Sequence, residues 1–318
     1  MKFELHSQSF VPCSPELFFR STKTQDPRLG EFVNTTDDPS LQRYVIAGYP
    51  DDEGIQINGG RVGAKLAPDT IRKYFYKTTP TSLTPTYTIS DIGNLKITGT
   101  LEQRHQLAKE ESLKNLKARS TWVGLGGGHD YGYSDGAGFL LSCQNEKYKP
   151  LVINFDAHLD VRSTDQGLSS GTPFYRLLTD SSLPAFDFVE VGIQRQCNSP
   201  HHVEWLLRKT PHVYFFDELS TDSSWWQNLY SRLAPLLIQK RPTYLSIDID
   251  GFSNAWAPGC SQSWATGFDP NGFMTLLGLL KKRLDIRSLG IYEVSPPIDI
   301  DDRTSKLAAL LLHHFMHV

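Results

Sequence analysis

The sequence predicts an α/β fold organised around a mostly parallel sheet. Short apolar segments alternate along the chain with longer amphipathic ones, an order that favours strands separated by covering helices. Some of these segments, such as Leu151-Val152-Ile153, are apolar without alternation, which is typical of strands buried on both faces. The chain of 318 residues has no internal repeat and no composition shift that would mark a linker, so we expect a single domain over residues 1–318.

The predicted elements begin after a polar, turn-rich stretch. We expect residues 1–40 to form an N-terminal arm laid over the main body. The apolar runs predict strands at residues 43–48, 121–125, 151–155, 188–191, 213–216, 243–249 and 288–293. The amphipathic stretches between them predict helices at residues 67–76, 101–118, 201–209, 225–239, 270–282 and 304–316.

Composition excludes several functional classes. A formal net charge of -3 gives no basic surface for nucleic acid or an anionic membrane, so we expect neither partner. Residues 1–6 lack the apolar stretch of a secretory signal, and no apolar run approaches the roughly 20 residues that cross a bilayer. The four cysteines are scattered without a C-x-x-C pair, which favours reduced, mostly buried thiols in a cytoplasmic protein.

Three separated segments end a predicted strand with metal-ligand side chains. The six candidate ligands are His129, Asp156, His158, Asp160, Asp248 and Asp250. Ligands bind beyond the carboxyl ends of strands in open parallel sheets, so we expect the three segments to meet there. If the backbone stays extended, residues i and i+2 share a side, and each Asp-x-His-x-Asp or Asp-x-Asp set would point one way. The glycines before His129 would let the chain turn tightly and bring the imidazole inward.

This ligand set predicts a centre for two divalent cations. Four carboxylates in one pocket could not all stay ionised without compensating positive charge. Carboxylates with some imidazole and no thiolate favour manganese over zinc. Two such ions would activate a bridging water for hydrolysis at an electron-poor carbon.

Other interpretations of the same residues are weaker. A single aspartate at a strand end more often caps a helix or satisfies a loop, but six clustered ligands would be too costly to bury without partners. A phosphate-binding loop is a second alternative for Gly124–His129. That segment lacks the third glycine of G-x-G-x-x-G, and no G-K-[ST] follows it.

At these positions the sequence resembles the ureohydrolases, the superfamily of arginase and agmatinase. The resemblance extends from Asn58-Gly59-Gly60-Arg61-Val62-Gly63-Ala64 to Tyr292-Glu293-Val294-Ser295-Pro296-Pro297. It implies a three-layer α/β/α sandwich and two Mn²⁺ ions per subunit. It also implies attack of a metal-bridging hydroxide on the amidine carbon of a small-molecule substrate, and homo-oligomers.

The resemblance assigns roles residue by residue. One manganese would be held by His129, Asp156, Asp160 and Asp248, and the other by Asp156, His158, Asp248 and Asp250. Asp156 and Asp248 would bridge the two ions. Asp160 would pass a proton to the departing amine, and Glu293 would bind the cationic amidine or guanidine head with bidentate hydrogen bonds.

Within the superfamily, the residues around the second motif look like the formimidoylglutamase branch. Arg162 stands where arginases carry Asn, and Ser170-Gly171-Thr172-Pro173-Phe174 lacks the arginase histidine. A substrate with two free carboxylates needs a cationic anchor, so we predict that Arg162 grips a glutamate carboxylate. Asn198 and Thr172 are further predicted substrate contacts.

The sequence therefore predicts a manganese hydrolase of N-formimidoyl-L-glutamate, an enzyme of histidine breakdown. Two alternatives stay open. The first is another amidine or guanidine hydrolase, such as agmatinase or arginase. The second is a non-catalytic scaffold that keeps the fold.

Overall fold

The computed structural model describes residues 7–23, 25–35, 38–82, 84, 86–221 and 224–318. Residues 1–6, which we examined for a secretory signal, lie outside this part. Nine strands form one sheet within it. They are β1 (Phe10–Val11), β2 (Gln42–Gly48), β3 (Tyr87–Leu95), β4 (Thr121–Leu125), β5 (Leu151–Phe155), β6 (Asp187–Ile193), β7 (Val213–Phe215), β8 (Pro242–Asp248) and β9 (Asp285–Tyr292).

The sheet is parallel except at one edge. Its strand order is β1-β3-β2-β4-β9-β8-β5-β6-β7, and only β1 runs antiparallel to its neighbour. The carboxyl ends of β4, β9, β8 and β5 therefore lie side by side at one edge of the sheet. The four strands that precede the predicted ligands and Glu293 are thus immediate neighbours.

Ten α-helices in the described residues cover the sheet. They are α1 (Glu53–Ile57), α2 (Ala67–Phe75), α3 (Leu101–Lys117), α4 (Tyr131–Ser142), α5 (Pro173–Thr179), α6 (Pro200–Leu207), α7 (Phe216–Leu219), α8 (Trp225–Leu233), α9 (Pro270–Arg283) and α10 (Arg303–His317). Helices α2, α8, α9 and α10 share one buried apolar cluster, and α3, α4, α5 and α6 share the other. Consecutive strand residues alternate between them: Val45 belongs to the second and Ile46 to the first. The predicted three-layer α/β/α sandwich is confirmed.

The sequence did not predict strand β3. Its segment carries Asp91 and Gly93, which are poor strand formers in the absence of tertiary partners. In the fold, the Asp91 carboxylate accepts from Nε and Nη2 of the fully buried Arg72 at 2.8 and 3.0 Å. A buried ion pair with α2 therefore stabilises a strand that local propensity disfavours.

Helix α4 was missed for a related reason. It contains Gly132, Gly136 and Gly138, which lower helix propensity. A Cβ on Gly138 would lie 1.9 Å from Ser112 Oγ of α3, and one on Gly132 would lie 3.1 Å from the His129 ring. The glycines therefore allow α4 to pack closely against α3 and the His129 loop.

Several predicted boundaries also need correction, among them the strand expected over 288–293, which spans Asp285–Tyr292. The helix expected over 225–239 ends at Leu233 and continues as a 3-10 turn over Ala234–Leu237, because Pro235 has no N–H for an α-helical hydrogen bond. The strand expected to reach Ile249 ends at Asp248. Helices α1, α5 and α7 are short and were not predicted.

The described part of the N-terminal arm lies along the sheet edge. Strand β1 pairs with Leu95 and Asn94 of β3, and Val33 forms a bridge with Ile89. Leu29 is buried in the core. In the described part of the chain, no helix has the length and apolar character required to cross a bilayer.

Candidate metal centre

The structure brings all six predicted ligands together at the carboxyl edge of the sheet. One group with ligand atoms within 4.8 Å of each other comprises His129, Asp156, Asp160 and Asp248. A second comprises Asp156, His158 and Asp250. Asp156 is common to both groups, whereas Asp248 belongs only to the first. That Asp248 bridges two ions stays a prediction.

The first group is arranged around one nitrogen. His129 Nδ1 lies 3.1 Å from Asp156 Oδ2, 3.0 Å from Asp160 Oδ2 and 3.1 Å from Asp248 Oδ2. In the second group, His158 Nδ1 lies 3.0 Å from Asp250 Oδ2 and 3.5 Å from Asp156 Oδ1. Two adjacent sets of hard oxygen and imidazole nitrogen donors therefore share the Asp156 carboxylate.

The convergence arises from turns, so the condition of an extended backbone, under which residues i and i+2 would share a side, is not met in these segments. Asp156 Oδ1 accepts from the backbone N–H of His158 at 2.6 Å, and Asp248 Oδ1 accepts from that of Asp250 at 2.9 Å. Residues Ile249–Gly251 form a 3-10 turn. Each aspartate thus uses one oxygen to fold its own loop. The Oδ2 atoms of both residues face His129, and Asp156 Oδ1 also faces His158.

Backbone hydrogen bonds hold the loop that carries His129. Gly126 N–H donates to Ile291 O at 2.7 Å, and Gly128 N–H donates to Asp51 O at 3.0 Å. The backbone N–H of His129 donates to Glu293 Oε1 at 2.9 Å. A Cβ on Gly127 would lie 2.0 Å from Asp51 O. The glycine run is therefore required for close backbone contact with neighbouring loops.

The His129 ring is oriented as a metal ligand. Its Nε2 lies 2.8 Å from Ser246 Oγ, and its plane stacks on Tyr292 with ring centroids 5.0 Å apart. Its buried Nδ1 has no hydrogen-bond partner, although three carboxylate oxygens surround it. An imidazole whose Nε2–H donates to Ser246 presents the Nδ1 lone pair to those oxygens. The donor set therefore fits a divalent cation.

Beneath the ligands, a row of residues crosses five strands in register. Gly124, Gly290, Ser246, Asn154 and Glu190 are successive partners on β4, β9, β8, β5 and β6. Ser246 contacts His129, and Asn154 Nδ2 donates to Asp156 Oδ2 at 3.2 Å. We call these five residues the polar row; its Ser246 and Asn154 hold two of the candidate ligands through hydrogen bonds.

The two glycines of the polar row make room for a buried network under Tyr292. A Cβ on Gly124 would lie 2.1 Å from Asp135 Oδ2, and one on Gly290 would lie 2.1 Å from the Tyr292 hydroxyl. That hydroxyl donates to Asp135 Oδ2 at 2.5 Å, and Trp122 Nε1 donates to Asp135 Oδ1 at 2.7 Å. The network fixes the ring on which His129 stacks.

Mutual charge shifts the ionisation of the cluster. Burial raises the pKa of Asp250 to about 6 against the opposing effect of His158. Burial and neighbouring carboxylates raise the pKa values of Asp160 and Asp248. For Asp156, burial is outweighed by the two histidines, which lower its pKa. The acids of this cluster repel one another, so cations would compensate their charge.

A cavity of about 420 Å³ opens above the ligands. Its wall includes Asp160, Asp250, Glu293 and Arg162. Residues without a role predicted from the sequence also line it, namely Ile55, Asn58, Ser170, Gln196, Cys197, His202, Gln262 and Trp264. The cavity is large enough for an amino-acid derivative and has carboxylates near the ligand cluster.

Arg162 is the cation of this cavity without a protein partner. Its side chain is exposed and, among the described residues, forms no hydrogen bond or ion pair. Its backbone N–H donates to Gly171 O at 2.8 Å. A Cβ on Gly171 would lie 2.7 Å from Arg162 Cδ. Gly171 therefore lets the arginine stem pass, and the guanidinium stays available.

The two other predicted substrate contacts have structural partners. Asn198 Oδ1 accepts from Leu159 N–H at 2.9 Å, and its Nδ2 donates to Ala157 O at 2.8 Å. Asn198 thus lines the cavity while holding the loop that carries His158. Thr172 is buried, and its hydroxyl donates to Ser169 O at 2.7 Å. The structure does not place Thr172 on the wall of the ligand cavity.

Two candidate catalytic residues have left-handed backbone conformations. The φ angles are 48° at Asp160 and 65° at Glu293. Such conformations are uncommon outside glycine and are typically found where function requires a particular side-chain direction. Glu293 N–H donates to Gly127 O at 2.9 Å, and Phe174 N–H donates to Asp160 O at 3.1 Å. These contacts help to hold both residues in place.

Comparisons with known proteins agree with this geometry. A model of the arginase family matches residues 42–318. The formimidoylglutamase of Streptococcus gordonii is 33% identical over 300 residues, which cover 91% of this chain and 89% of the relative. A formimidoylglutamase of Streptococcus pyogenes is 30% identical and covers 86% of this chain and 84% of the relative.

Solved structures share the fold. The crystal structure of the Trypanosoma cruzi formiminoglutamase with Mn²⁺ superposes with a TM-score of 0.79 at 26% identity, covering 92% of this chain and 98% of that one. The Bacillus subtilis formimidoylglutamase gives a TM-score of 0.81 at 22% identity, covering 94% and 93%. Because the family model matches residues 42–318 and a 33% identical relative covers 91% of this chain, the chain belongs to the arginase family.

Proposed function

We propose that this protein hydrolyses N-formimidoyl-L-glutamate to L-glutamate and formamide, using two Mn²⁺ ions. The observation that carries the proposal is the arrangement of one cavity. Four of the six candidate ligands, His158, Asp160, Asp248 and Asp250, line it in contact with the other two, and Arg162, whose side chain has no partner among the described residues, lies on its wall. The relatives named formimidoylglutamase support the choice of substrate.

The donor groups suggest which residues would hold the ions. His129, Asp156, Asp160 and Asp248 would bind one cation, and Asp156, His158 and Asp250 would bind the other. When bound, the two cations would lower the pKa of water and so supply a nucleophile at neutral pH. Asn154, Ser246 and the Asn198-held loop would keep the ligands oriented.

The protein side chains would position the substrate and move its protons. The buried Glu293 carboxylate would accept hydrogen bonds from the planar amidinium head, a geometry that suits two parallel N–H donors. Addition of water to the amidine carbon is followed by cleavage of its bond to the glutamate nitrogen. Asp160, which also lines the cavity, would give that nitrogen its proton.

Arg162 would bind a carboxylate of the glutamate moiety. The guanidinium is always charged and presents a fork that matches a carboxylate. We expect Arg162→Ala to raise KM about 10- to 100-fold, the loss of one charge-assisted contact, while kcat changes little. Steady-state kinetics with N-formimidoyl-L-glutamate measure both constants.

A matched control is Arg195→Ala. Arg195 is half-exposed, pairs with Asp217 at 2.9 Å and also with Glu218, and does not line the cavity. Its removal should leave KM unchanged. An unchanged KM in Arg162→Ala would remove Arg162 from the substrate site.

A product assay tests the proposed substrate. Manganese-loaded protein is incubated in parallel with N-formimidoyl-L-glutamate, arginine and agmatine. Release of glutamate and formamide from the first compound alone is expected. Urea from arginine or agmatine would instead identify an arginase or agmatinase activity, and no turnover of any compound would favour a non-catalytic scaffold. Homo-oligomers and a cytoplasmic location stay predictions.

A further inference from the structure

A buried acid lies in the polar row without a cation beside it. Glu190 of β6 is fully buried, and its Oε2 has no hydrogen-bond partner in the structure. Among the described residues, no lysine, arginine or histidine forms an ion pair with it. Burying a carboxyl group without compensation costs free energy, so this position requires a physical explanation.

The contact of Glu190 with its cross-strand partner supplies that explanation. Asn154 lies directly opposite on β5 and is fully buried as well. Its Nδ2 donates to Glu190 Oε1 at 2.7 Å and to Asp156 Oδ2 at 3.2 Å. Both hydrogens of one amide nitrogen are therefore used, one toward the buried acid and one toward the carboxylate shared by the two ligand groups.

The side chain of an asparagine can turn either its amide nitrogen or its carbonyl oxygen toward a neighbour. If the Asn154 amide rotated by half a turn, its carbonyl oxygen would face the Asp156 carboxylate and the two acceptors would repel. The shorter hydrogen bond to Glu190 opposes that rotation. Glu190 thus determines which end of the amide meets Asp156.

We propose that Glu190 is a positioning residue, which acts through Asn154 to hold the Asp156 carboxylate in the orientation that both cations need. The inference rests on the metal site of the proposed function and is independent of the substrate. Burial and the charge of Asp156 raise the pKa of Glu190 well above its usual range. A glutamine would supply an equivalent acceptor oxygen at the same reach.

Two substitutions distinguish the effect of side-chain length from the effect of the carboxyl group. Glu190→Gln keeps the side-chain length and an acceptor oxygen, whereas Glu190→Asp keeps the carboxyl group and withdraws it by one methylene. Mn²⁺ affinity is measured by titration followed by electron paramagnetic resonance of free Mn²⁺. Thermal unfolding without metal is recorded for each variant.

We expect Glu190→Gln to bind Mn²⁺ within about two- to threefold of the wild-type affinity, as conservative substitutions do. Glu190→Asp should weaken binding by roughly 10- to 100-fold, the usual loss when a group behind a metal ligand is removed. At saturating Mn²⁺ the KM of Glu190→Asp should stay at the wild-type value, because the acid does not touch the cavity.

Several results would overturn the inference. The inference is wrong if Glu190→Asp binds Mn²⁺ with wild-type affinity. It is also wrong if Glu190→Gln and Glu190→Asp lose Mn²⁺ affinity equally. A lower unfolding temperature with unchanged affinity would indicate a purely structural role. If Glu190→Asp does not fold, Asn154→Ser is tested instead, because it removes the amide that connects Glu190 to Asp156. We expect Asn154→Ser to lose the same roughly 10- to 100-fold in Mn²⁺ affinity, and wild-type affinity in this variant would also contradict the inference. A wild-type protein that binds no Mn²⁺ contradicts the proposed function instead.

Discussion

Asp156→Ala is expected to abolish both Mn²⁺ binding and hydrolysis. Its carboxylate belongs to both ligand groups, with one oxygen 3.1 Å from His129 Nδ1 and the other 3.5 Å from His158 Nδ1. Removal of a residue that hydrogen-bonds to a metal ligand typically lowers metal affinity or activity by roughly 10- to 100-fold. Removal of the shared ligand itself should lower both by more than about 100-fold. Mn²⁺ titration and kcat/KM measure the two effects.

The variant should still fold. In addition to burial, the Asp156 carboxylate raises the pKa values of Asp160 and Asp248, so its removal relieves their repulsion and offsets the loss of its own interactions with the two histidines. We expect Mn²⁺ to raise the Tm of the wild type and not that of the variant, because a cation that no longer binds the folded state cannot stabilise it. Differential scanning calorimetry with and without Mn²⁺ records this change.

Asp165→Ala is the matched control. Asp165 is exposed on the 3-10 turn Thr164–Gln166, and its carboxylate accepts from Ser163 Oγ at 2.8 Å. Mn²⁺ affinity and activity should stay at the wild-type level in this variant. Retention of tight Mn²⁺ binding by Asp156→Ala would show that the shared carboxylate is not a ligand.

Glu293→Gln is expected to lower kcat/KM by about 10²- to 10³-fold while Mn²⁺ still binds. The amide removes the negative charge that would pair with the amidinium head, and loss of one partner of a buried charge pair costs about 3–5 kcal/mol. Its oxygen can still accept from the His129 N–H, a bond of 2.9 Å in the structure. The metal-ligand loop should therefore keep its conformation.

Kinetics and Mn²⁺ titration of the same preparation separate these effects. Glu204→Gln, which changes an exposed acid on α6, should leave all constants unchanged. If Glu293→Gln lost Mn²⁺ affinity and activity in parallel, Glu293 would act on the metal centre and not on the substrate. Unchanged kcat/KM would exclude it from both roles.

The sequence predicted that the six candidate ligands lie close together, because their positions depend on topology. Parallel strands end at one edge, so side chains after β4, β5 and β8 had to lie close together. The detailed geometry was not predictable in this way. It depends on the turns at Asp156 and Asp248 and on the left-handed backbone of Asp160, which arise from contacts between loops.

The residues of the polar row could have been predicted from the sequence by their spacing, which we did not use. Asn154 and Ser246 each stand two residues before a ligand, in strands that are otherwise apolar, and i and i+2 share a side of a strand. A polar residue at that spacing indicates a partner of the metal ligands. Glu190 interrupts the apolar run of β6 in the same manner.

The substrate-binding residues were harder to predict. Arg162 lines the cavity, whereas Thr172 bonds to its own loop and Asn198 supports the His158 loop. Loop side chains of this kind depend on contacts distant in sequence. Strand β3 and helix α4 were missed for the same reason, since a buried ion pair and interhelical glycine contacts override their local propensities.

The most direct test is the manganese content of the purified, Mn²⁺-equilibrated protein, combined with its electron paramagnetic resonance spectrum. Donor groups that share Asp156 predict two tightly bound manganese ions per chain and a spectrum of a magnetically coupled pair. A single uncoupled ion, or active protein without a bound transition metal, would contradict the dinuclear centre.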